Sequence, residues 1–585
     1  MRKGDGRALA LAVCVVSLLA ALAWEVAPLA DRAPVESAAQ EDAPAEGDAP
    51  DADDASPDDV GAVRSSDPDD PGIEDVSPSA TPSDAGLARQ LDAYLDASFS
   101  ASHLPGAEVV VVDGSGVVYA RALGDVPSVD APMPVGSLSK SLTAVCVMQL
   151  VEAGEVDLDA PARGYIEDPG SLPAEITVRD LLNQTSGLGY YDTTSQALER
   201  AEPGESYGWF SYANANYDLL GKVVEGVSGE TYADYLAEHV LAPLGMTRSS
   251  GDMDGALVDG ESAADALVAG HRNWFGAFVA DGFTHESDDD SWGTAASGYV
   301  VSSAYDLGVY LRMYLAGGEV PDAVADGGQA PRVLTASSVG AIVGAGDVRA
   351  GLEVPYAMGW FPFTWDDGEL VALHDGSVEG HLARMVLLPD RGLGVVVMAD
   401  GADDLTGGGS FFDLADGVVG VVTGDDPEPL GGGRYVAEHA RLDLWCAAAL
   451  VACALPLVRV RGWLRWLERA GGRPEPGSVA LRLAPYVAGT AAPLLCPLAW
   501  GVPWRDLAGF APDVACVLVA CAVLLALAAL RRVASLWRAA ARARVETTRF
   551  AGVRRGRGAP WRRSGRQWAA SDPSGGPRRG QGSAG

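Results

Sequence analysis

The spacing of apolar residues along the central part of the chain predicts helices and strands in a definite order. Leucine and tyrosine recur at helical intervals over residues 87–99, and a second, strongly apolar helix is predicted from Ser137 to Glu152. Short apolar runs on either side of turn sequences predict β-hairpins at 109–122 and 384–398. Strands near both ends with helices between them predict an α+β domain whose terminal strands pair in one antiparallel sheet.

We place this domain at residues 87–428, and beyond it the pattern changes to long apolar stretches without charge. There are three of them, at about 444–458, 483–502 and 514–530. A membrane-spanning helix needs about 20 residues, with a lower limit of roughly 17, so the second and third are long enough and the first needs flanking residues. Buried core helices are the alternative. The connection 459–482, with six arginines and two glutamates, argues against it. We therefore expect three transmembrane helices within 444–530.

Both ends of the chain differ in composition from the predicted domain. Residues 1–30 begin with three basic side chains and continue as an apolar run, which is typical of a signal peptide or an uncleaved signal anchor. Residues 31–86 carry 17 acidic and two basic side chains among many Ala, Pro and Ser residues, which predicts a disordered acidic stalk. A tail without a spacer role is the alternative. Residues 531–585 carry 14 arginines against two acidic side chains and are predicted to be a disordered basic tail.

This uneven charge predicts where the parts of the chain lie. The formal net charge of −38 argues against nucleic acid as a partner, because phosphate binding needs a basic surface. Basic segments stay on the cytoplasmic side of a membrane, which places 459–482 and 531–585 in the cytoplasm and 31–443 outside. We therefore expect a multi-pass protein of the cell membrane with an extracytoplasmic domain. The basic tail either contacts membrane lipid or only fixes this topology.

Lysine is almost absent from this chain, and the position of one of the few lysines suggests a catalytic role. The 42 basic residues are 39 arginines and three lysines, and Lys140 lies three residues after Ser137, on the same face of the predicted helix. A desolvated lysine can lose its proton, whereas arginine stays charged, so Lys140 can act as the base that a nucleophilic serine needs. Free N–H groups at the helix start can stabilise an oxyanion. The alternative is an ordinary helix start with a capping serine and a solvated lysine.

Longer motifs support the catalytic interpretation. The stretch from Pro134 to Ala144 resembles the nucleophile motif of the serine β-lactamase and penicillin-binding-protein superfamily, within it the class C β-lactamase-related group of esterases and D-amino-acid peptidases. Tyr212-Ala213-Asn214 resembles the Y-x-N motif of that group, and His374-Asp375-Gly376 falls where its third motif belongs. Residues 176–188 resemble a further signature, in which Gln184 replaces the usual histidine. The resemblance covers the whole predicted α+β domain.

The resemblance implies a β-lactamase/transpeptidase-like fold, an antiparallel sheet flanked by helices with a helical subdomain, and a catalytic set. Ser137 would attack the carbonyl carbon of the substrate. Lys140 and Tyr212 would share the work of the base, and which of them takes the proton stays open. Tyr212 would also return a proton to the leaving group.

The resemblance further implies substrate-binding residues. Asn214 would bind the substrate or hold the catalytic lysine. His374, in place of the lysine of true class C β-lactamases, would bind a polar group of the substrate. Gly376 and Ser377 would complete the third motif, and the backbone N–H groups of Ser137 and Ser377 would form the oxyanion hole.

These expectations combine into one predicted function. The protein would be a membrane-anchored extracytoplasmic serine hydrolase that acts through an acyl-enzyme on an amide or ester, without metal or organic cofactor. Its partners would be membrane lipid and a small-molecule or peptide substrate, with D-alanyl peptides of peptidoglycan or a small ester as candidates. The alternative is a catalytically weak or inactive protein of the same fold that binds or senses cell-wall fragments.

Overall fold

The computed structural model describes residues 84–281, 293–321, 331–352 and 354–556. The predicted signal segment, the stalk up to residue 83 and the tail after residue 556 lie outside the described residues. The strands are β1 Gly106–Asp113, β2 Gly116–Gly124, β3 Met133–Pro134, β4 His271–Trp274, β5 Ala277–Val279, β6 Val301–Ser302, β7 Phe361–Thr364, β8 Leu370–Val378, β9 His381–Leu388, β10 Leu393–Ala399 and β11 Gly401–Ala402. The helices of the sheet-containing domain are α1 Asp84–Ser102, α2 Ser139–Glu152, α3 Val178–Leu182, α4 Thr194–Glu199, α5 Asn214–Ser228, α6 Tyr232–Leu236, α7 Ala242–Leu244, α8 Ala263–Ala266, α9 Ala304–Leu315, α10 Ala336–Ile342, α11 Ala345–Arg349 and α12 Gly409–Thr423. The C-terminal helices are α13 Gly433–Val458, α14 Arg461–Arg469, α15 Pro476–Ala499, α16 Trp504–Phe510 and α17 Pro512–Gly556.

A six-stranded antiparallel sheet in the order β2-β1-β10-β9-β8-β7 forms the centre of the domain. Strand β1 pairs with β10 in a register that puts Val109 opposite Val397. Both predicted hairpins and the predicted pairing of the terminal strands are thus confirmed.

Helices cover both faces of this sheet. Val110 and Val112 of β1 point into the core that includes α9, whereas Val109 and Val111 point into the core that includes α1 and α12. Successive strand residues face opposite sides, so a strand buried on both sides is apolar throughout. This explains the continuous valine run of β1.

The C-terminal helices differ in extent from the predicted spans. Among the described residues, three helical segments are long and apolar enough to cross a membrane: Gly433–Arg469, which contains α13, Pro476–Ala499, which is α15, and Pro512–Thr548, which lies within α17. Helix α13 begins at Gly433, well before the apolar stretch, so charged residues such as Arg434 and Arg441 precede its apolar part. Helix α17 continues to Gly556, so residues 531–556 are helical and not disordered as predicted. Alanine and arginine favour helix strongly, and they extend the helix that the apolar segment begins.

The sheet-containing domain also contacts these helices away from the chain connection. Strands β4 and β5 form a small hairpin beside them. Arg272 Nη1 of β4 donates to the Ala508 carbonyl at 3.1 Å, and the Phe275 N–H donates to Asp513 Oδ2 at 3.1 Å. Asn273 Nδ2 donates to the Tyr435 hydroxyl at 2.7 Å. The domain is therefore held against the ends of α13, α16 and α17.

Candidate active site

Ser137 and Lys140 meet at the start of α2. A 3-10 turn over Gly136–Leu138 leads into this helix, so Ser137 lies in the turn and Lys140 in the first helical turn. Lys140 Nζ lies 3.0 Å from Ser137 Oγ. Ser137 is 8% exposed and Lys140 is fully buried. The structure brings the predicted pair into hydrogen-bond contact at a point that solvent barely reaches.

The environment of Lys140 favours its neutral form. Burial lowers the pKa of Lys140 to about 7, and the charge of Asp218 opposes this shift. Lys140 Nζ also lies 2.8 Å from Asn214 Oδ1 and 2.6 Å from the Ser297 carbonyl oxygen, both of which only accept hydrogen bonds. A neutral amine donates to these two oxygens and turns its lone pair toward Ser137 Oγ. Lys140 is therefore placed to take the serine proton.

Tyr212 lies on the other side of Lys140 and suits a different role. Its ring centroid is 4.7 Å from Lys140 Nζ, and the side chain is 4% exposed. Burial raises the pKa of Tyr212 well above its usual value, and the Ser137 hydroxyl lowers it to a smaller extent. The Tyr212 hydroxyl lies close enough to Ser137 for the serine to affect its pKa, but the two hydroxyls do not form a hydrogen bond of normal geometry. Because Tyr212 stays protonated at neutral pH, it is suited to donate a proton to a leaving group.

Gln184 supports the segment that carries Tyr212 and Asn214. Its side chain is fully buried, and its backbone adopts a φ of 60°. Gln184 Oε1 accepts from the Ala213 N–H at 3.0 Å and from Asn216 Nδ2 at 2.5 Å. The glutamine therefore holds the residues on either side of Asn214, which explains why a polar acceptor occupies this position.

Replacing Gln184 by leucine is expected to loosen this segment without removing a reacting group. The Ala213 N–H and the Asn216 amide would lose a buried acceptor, at a cost of about 1–3 kcal/mol in the free energy of unfolding. We expect acylation to slow by about 10-fold as Tyr212 and Asn214 lose their alignment. Thermal unfolding and the rate of labelling by a fluorophosphonate measure the two effects. Gln149→Leu, at the far end of α2, is the control and should lower stability without slowing labelling. If folded Gln184→Leu were labelled at the wild-type rate, the role of Gln184 in aligning Tyr212 and Asn214 would be contradicted.

The third motif approaches the nucleophile through backbone contacts. Strand β7 pairs with β8 only at Leu370–Leu373, and the turn that carries Ser137 lies against the rest of β8. A Cβ atom at Gly136 would lie 2.4 Å from the Ser377 backbone nitrogen, and one at Gly376 would lie 2.1 Å from the Val135 carbonyl oxygen. Both positions therefore need glycine. The approach brings the backbone amide of Ser377 close to the turn, as an oxyanion hole requires.

His374 is fully buried within β8, and its environment keeps the ring neutral. Burial, together with the charge of Lys140, lowers the pKa of His374 to about 3. The Asp375 carbonyl, 2.6 Å from Nδ1, must accept from it, so Nε2 accepts from the Tyr356 hydroxyl at 3.2 Å. Both nitrogens are thus bonded within the protein, and the ring lies 6.4 Å from that of Tyr212. The structure places the His374 ring next to the Tyr212 ring. Direct substrate binding by His374 stays a prediction.

Four residues of the site were not predicted from the sequence. The Ser297 carbonyl, Asp218 and the Tyr356 hydroxyl act on Lys140 or His374, and Asp404 accepts from Ser377 Oγ at 2.9 Å. None of them belongs to a recognised motif. Their residue types are also common in polar loops and helices, so only the folded chain shows that they surround Ser137.

The sheet-containing domain is similar to known proteins. A family model described as Beta-lactamase matches residues 87–409. Penicillin-binding protein 4 of Amycolatopsis lactamdurans is 28% identical over 337 residues, 52% of this chain and 83% of that protein. Protein flp of Staphylococcus aureus (strain MW2) is 25% identical over 344 residues, 53% of this chain and 63% of that protein.

Solved structures were also matched. The octameric penicillin-binding protein homologue from Pyrococcus abyssi has a TM-score of 0.47 and 23% identity over 58% of this chain and 78% of that one. A β-lactamase/D-alanine carboxypeptidase from Yersinia pestis has a TM-score of 0.44 and 20% identity over 57% of this chain and 98% of that one. The family model covers more than half of the chain, and its match spans the serine, tyrosine and histidine motifs. The chain therefore belongs to the β-lactamase family of the serine β-lactamase and penicillin-binding-protein superfamily.

Proposed function

We propose that this protein is a membrane-anchored serine hydrolase that acts through an acyl-enzyme on an amide or ester. The observation that carries the proposal is the 3.0 Å contact between Ser137 Oγ and the Nζ of a fully buried lysine. Burial lowers the pKa of that lysine to about 7, so a large fraction of it is neutral under physiological conditions. A serine with such a base beside it is an activated nucleophile.

The proposed reaction has two stages. Ser137 Oγ attacks the substrate carbonyl carbon as Lys140 takes the hydroxyl proton, and the N–H groups of Ser137 and Ser377 stabilise the oxyanion. The intermediate collapses to an ester of Ser137 as Tyr212 gives its proton to the leaving amine or alcohol. Water or another amine then attacks that ester and gives a proton to the Tyr212 phenolate, while Lys140 returns its proton to Ser137 Oγ. This step releases the acyl group and restores all three side chains.

The proposed substrate is a D-alanyl peptide of the peptidoglycan type or a small ester. Two observations support it. The similarity to a penicillin-binding protein suggests a site that accepts such peptides. The basic segments between and after the apolar helices favour a domain on the outer face of the membrane, where peptidoglycan is found.

Intact-protein mass spectrometry on the full chain in detergent micelles tests the proposal. Wild-type protein is incubated with a fluorophosphonate and with benzylpenicillin, beside Ser137→Ala and Ser141→Ala. We expect a covalent adduct on wild type and on Ser141→Ala, whose hydroxyl donates to the Leu138 carbonyl and not to the catalytic pair, and none on Ser137→Ala. If folded wild-type protein forms no adduct with either probe, the proposal fails, and a protein that binds cell-wall fragments without turnover becomes the better explanation.

A further inference from the structure

The first turns of α13 lie outside the matched family region and pack against the sheet-containing domain. The helix begins at Gly433, and its apolar part starts only at Leu444. In its first turn, the Tyr435 hydroxyl accepts from Asn273 Nδ2 at 2.7 Å and donates to the Gly276 carbonyl at 3.1 Å, both in the β4–β5 hairpin. The start of the first long C-terminal helix is therefore packed as a part of the catalytic domain.

One turn further along α13, His439 bonds to a buried carboxylate of the catalytic domain. His439 Nε2 lies 2.9 Å from Asp403 Oδ2, and the two side chains are only 5% and 6% exposed. A carboxylate oxygen accepts hydrogen bonds, so His439 is the donor. Thr406 Oγ1 donates to the same oxygen at 2.5 Å. These bonds fasten the turn 403–408 to the helix, and a hydrogen bond to an ionised acceptor is stronger than one between neutral groups.

The residue after Asp403 joins this turn to the third motif. Ser377 Oγ donates to Asp404 Oδ1 at 2.9 Å. The Gly408 N–H donates to the Asp403 carbonyl at 2.7 Å, so the turn is closed by its own backbone. The backbone nitrogen of Ser377, the predicted oxyanion-hole donor, lies against the turn that carries Ser137. Two hydrogen bonds and one peptide link therefore lead from α13 to Ser377.

The strand before this turn is also held by the C-terminal helices. Strand β11 pairs in parallel with β4, with Gly401 opposite His271. Arg272 of β4 in turn donates to the Ala508 carbonyl of α16 at 3.1 Å. Both Ala508 and His439 lie outside the matched region 87–409. Residues that follow the family region thus fix the turn 403–408 and the strand that leads into it.

We propose that His439 and Asp404 are positioning residues for the proposed reaction, which hold Ser377 through the turn 403–408 so that its backbone N–H faces the oxyanion. Neither side chain acts on the substrate directly. An oxyanion-hole donor stabilises the transition state only at hydrogen-bond distance, and a displacement of about 1 Å can slow a reaction by about 10²-fold. The inference rests on the proposed function, and it makes the docking of α13 on the catalytic domain a condition for full activity.

Kinetics of the full chain in detergent micelles test the role of His439. His439→Phe keeps a ring against Tyr435 and removes the donor to Asp403. We expect fluorophosphonate labelling to slow by about 10-fold, and kcat for p-nitrophenyl acetate to fall by about as much with KM nearly unchanged, because the oxyanion forms only during the reaction. His103→Phe is the matched control, since His103 follows α1 and stacks on the same tyrosine at 4.4 Å. It should keep the wild-type rates.

Variants of Asp404 test whether His439 acts through the turn. Asp404→Ala removes the acceptor of Ser377 Oγ and should lower kcat by about 10-fold, whereas Asp404→Asn keeps an acceptor oxygen and should recover most of that loss. The double variant of His439→Phe and Asp404→Ala should lose about 10-fold in kcat and not about 100-fold, because the two residues share one route. Losses that multiply would show that the two residues act independently and would overturn the proposal.

A measurement without turnover separates this inference from the proposed function. Hydrogen–deuterium exchange with mass spectrometry compares segments 374–379 and 400–408 in wild type, His439→Phe and His103→Phe. Faster exchange in both segments of His439→Phe alone supports the positioning of Ser377, even if wild type forms no fluorophosphonate adduct and the proposed function fails. Unchanged exchange in segment 374–379 of folded His439→Phe overturns the inference, and an adduct on Ser137 would then leave the proposed function standing.

Discussion

Replacing Lys140 by methionine is expected to slow acylation of Ser137 by at least about 10³-fold, because the serine loses its base. Methionine has a similar length and suits a position between the rings of Tyr212 and Tyr217, which lie 4.7 and 5.8 Å from Nζ. The fold should therefore persist. The measurement is the rate of fluorophosphonate labelling by mass spectrometry, with thermal unfolding to confirm that the protein is folded.

Lys222→Met is the matched control, since this lysine of α5 is only partly buried and lies outside the candidate active site. It should label at the wild-type rate. The labelling rate of wild type should rise with pH and reach half its maximum near pH 7, because the neutral form of Lys140 is the active one. A Lys140→Met variant that labels at the wild-type rate would refute the role of this lysine as the base.

The stability of the same variant gives an independent check on the charge of Lys140. The pKa of this lysine is lower in the folded protein than in the unfolded chain, so the folded state binds fewer protons. Its burial therefore destabilises the fold progressively as the pH falls from about 10 to about 7. As the pH falls over that range, the free energy of unfolding of Lys140→Met should increase relative to that of wild type. Chemical denaturation at several pH values measures the difference.

Replacing Tyr212 by phenylalanine is expected to lower kcat for an amide substrate by about 10²–10⁴-fold, the usual contribution of a general acid. The ring and its packing against Tyr190 and Tyr356 would remain, and only the buried hydroxyl would be lost. A leaving group that departs without a proton does not need this acid. Labelling by a fluorophosphonate, which expels fluoride, should therefore fall much less than amide hydrolysis.

Comparing these two rates distinguishes a catalytic hydroxyl from a structural one. Tyr310→Phe is the matched control, because Tyr310 is also fully buried and its hydroxyl bonds to that of Tyr314. It should leave both rates within a few-fold of wild type. If Tyr212→Phe slowed labelling and amide hydrolysis equally, Tyr212 would act on the nucleophile itself and not on the leaving group.

The local sequence determined much of the fold and the identity of the central pair. The valine run of β1 and the turns that close the hairpins depend on strand burial and turn geometry, which act over a few residues. Ser137 and Lys140 lie three positions apart at a helix start, and helical geometry alone brings them together. The scarcity of lysine then singled out Lys140. Likewise, the length and composition of the apolar stretches predicted the three long C-terminal helices.

Only the tertiary structure decided the electrostatic state of the site and its boundaries. The lowered pKa of Lys140 depends on burial and on acceptors contributed by Asn214 and Ser297, which are distant in sequence. The bonded state of both His374 nitrogens depends in the same way on Tyr356. The hydrogen bond from Arg272 to the Ala508 carbonyl joins segments 236 residues apart. Such contacts arise from packing between elements, and a local pattern carries no information on which distant residues it will meet.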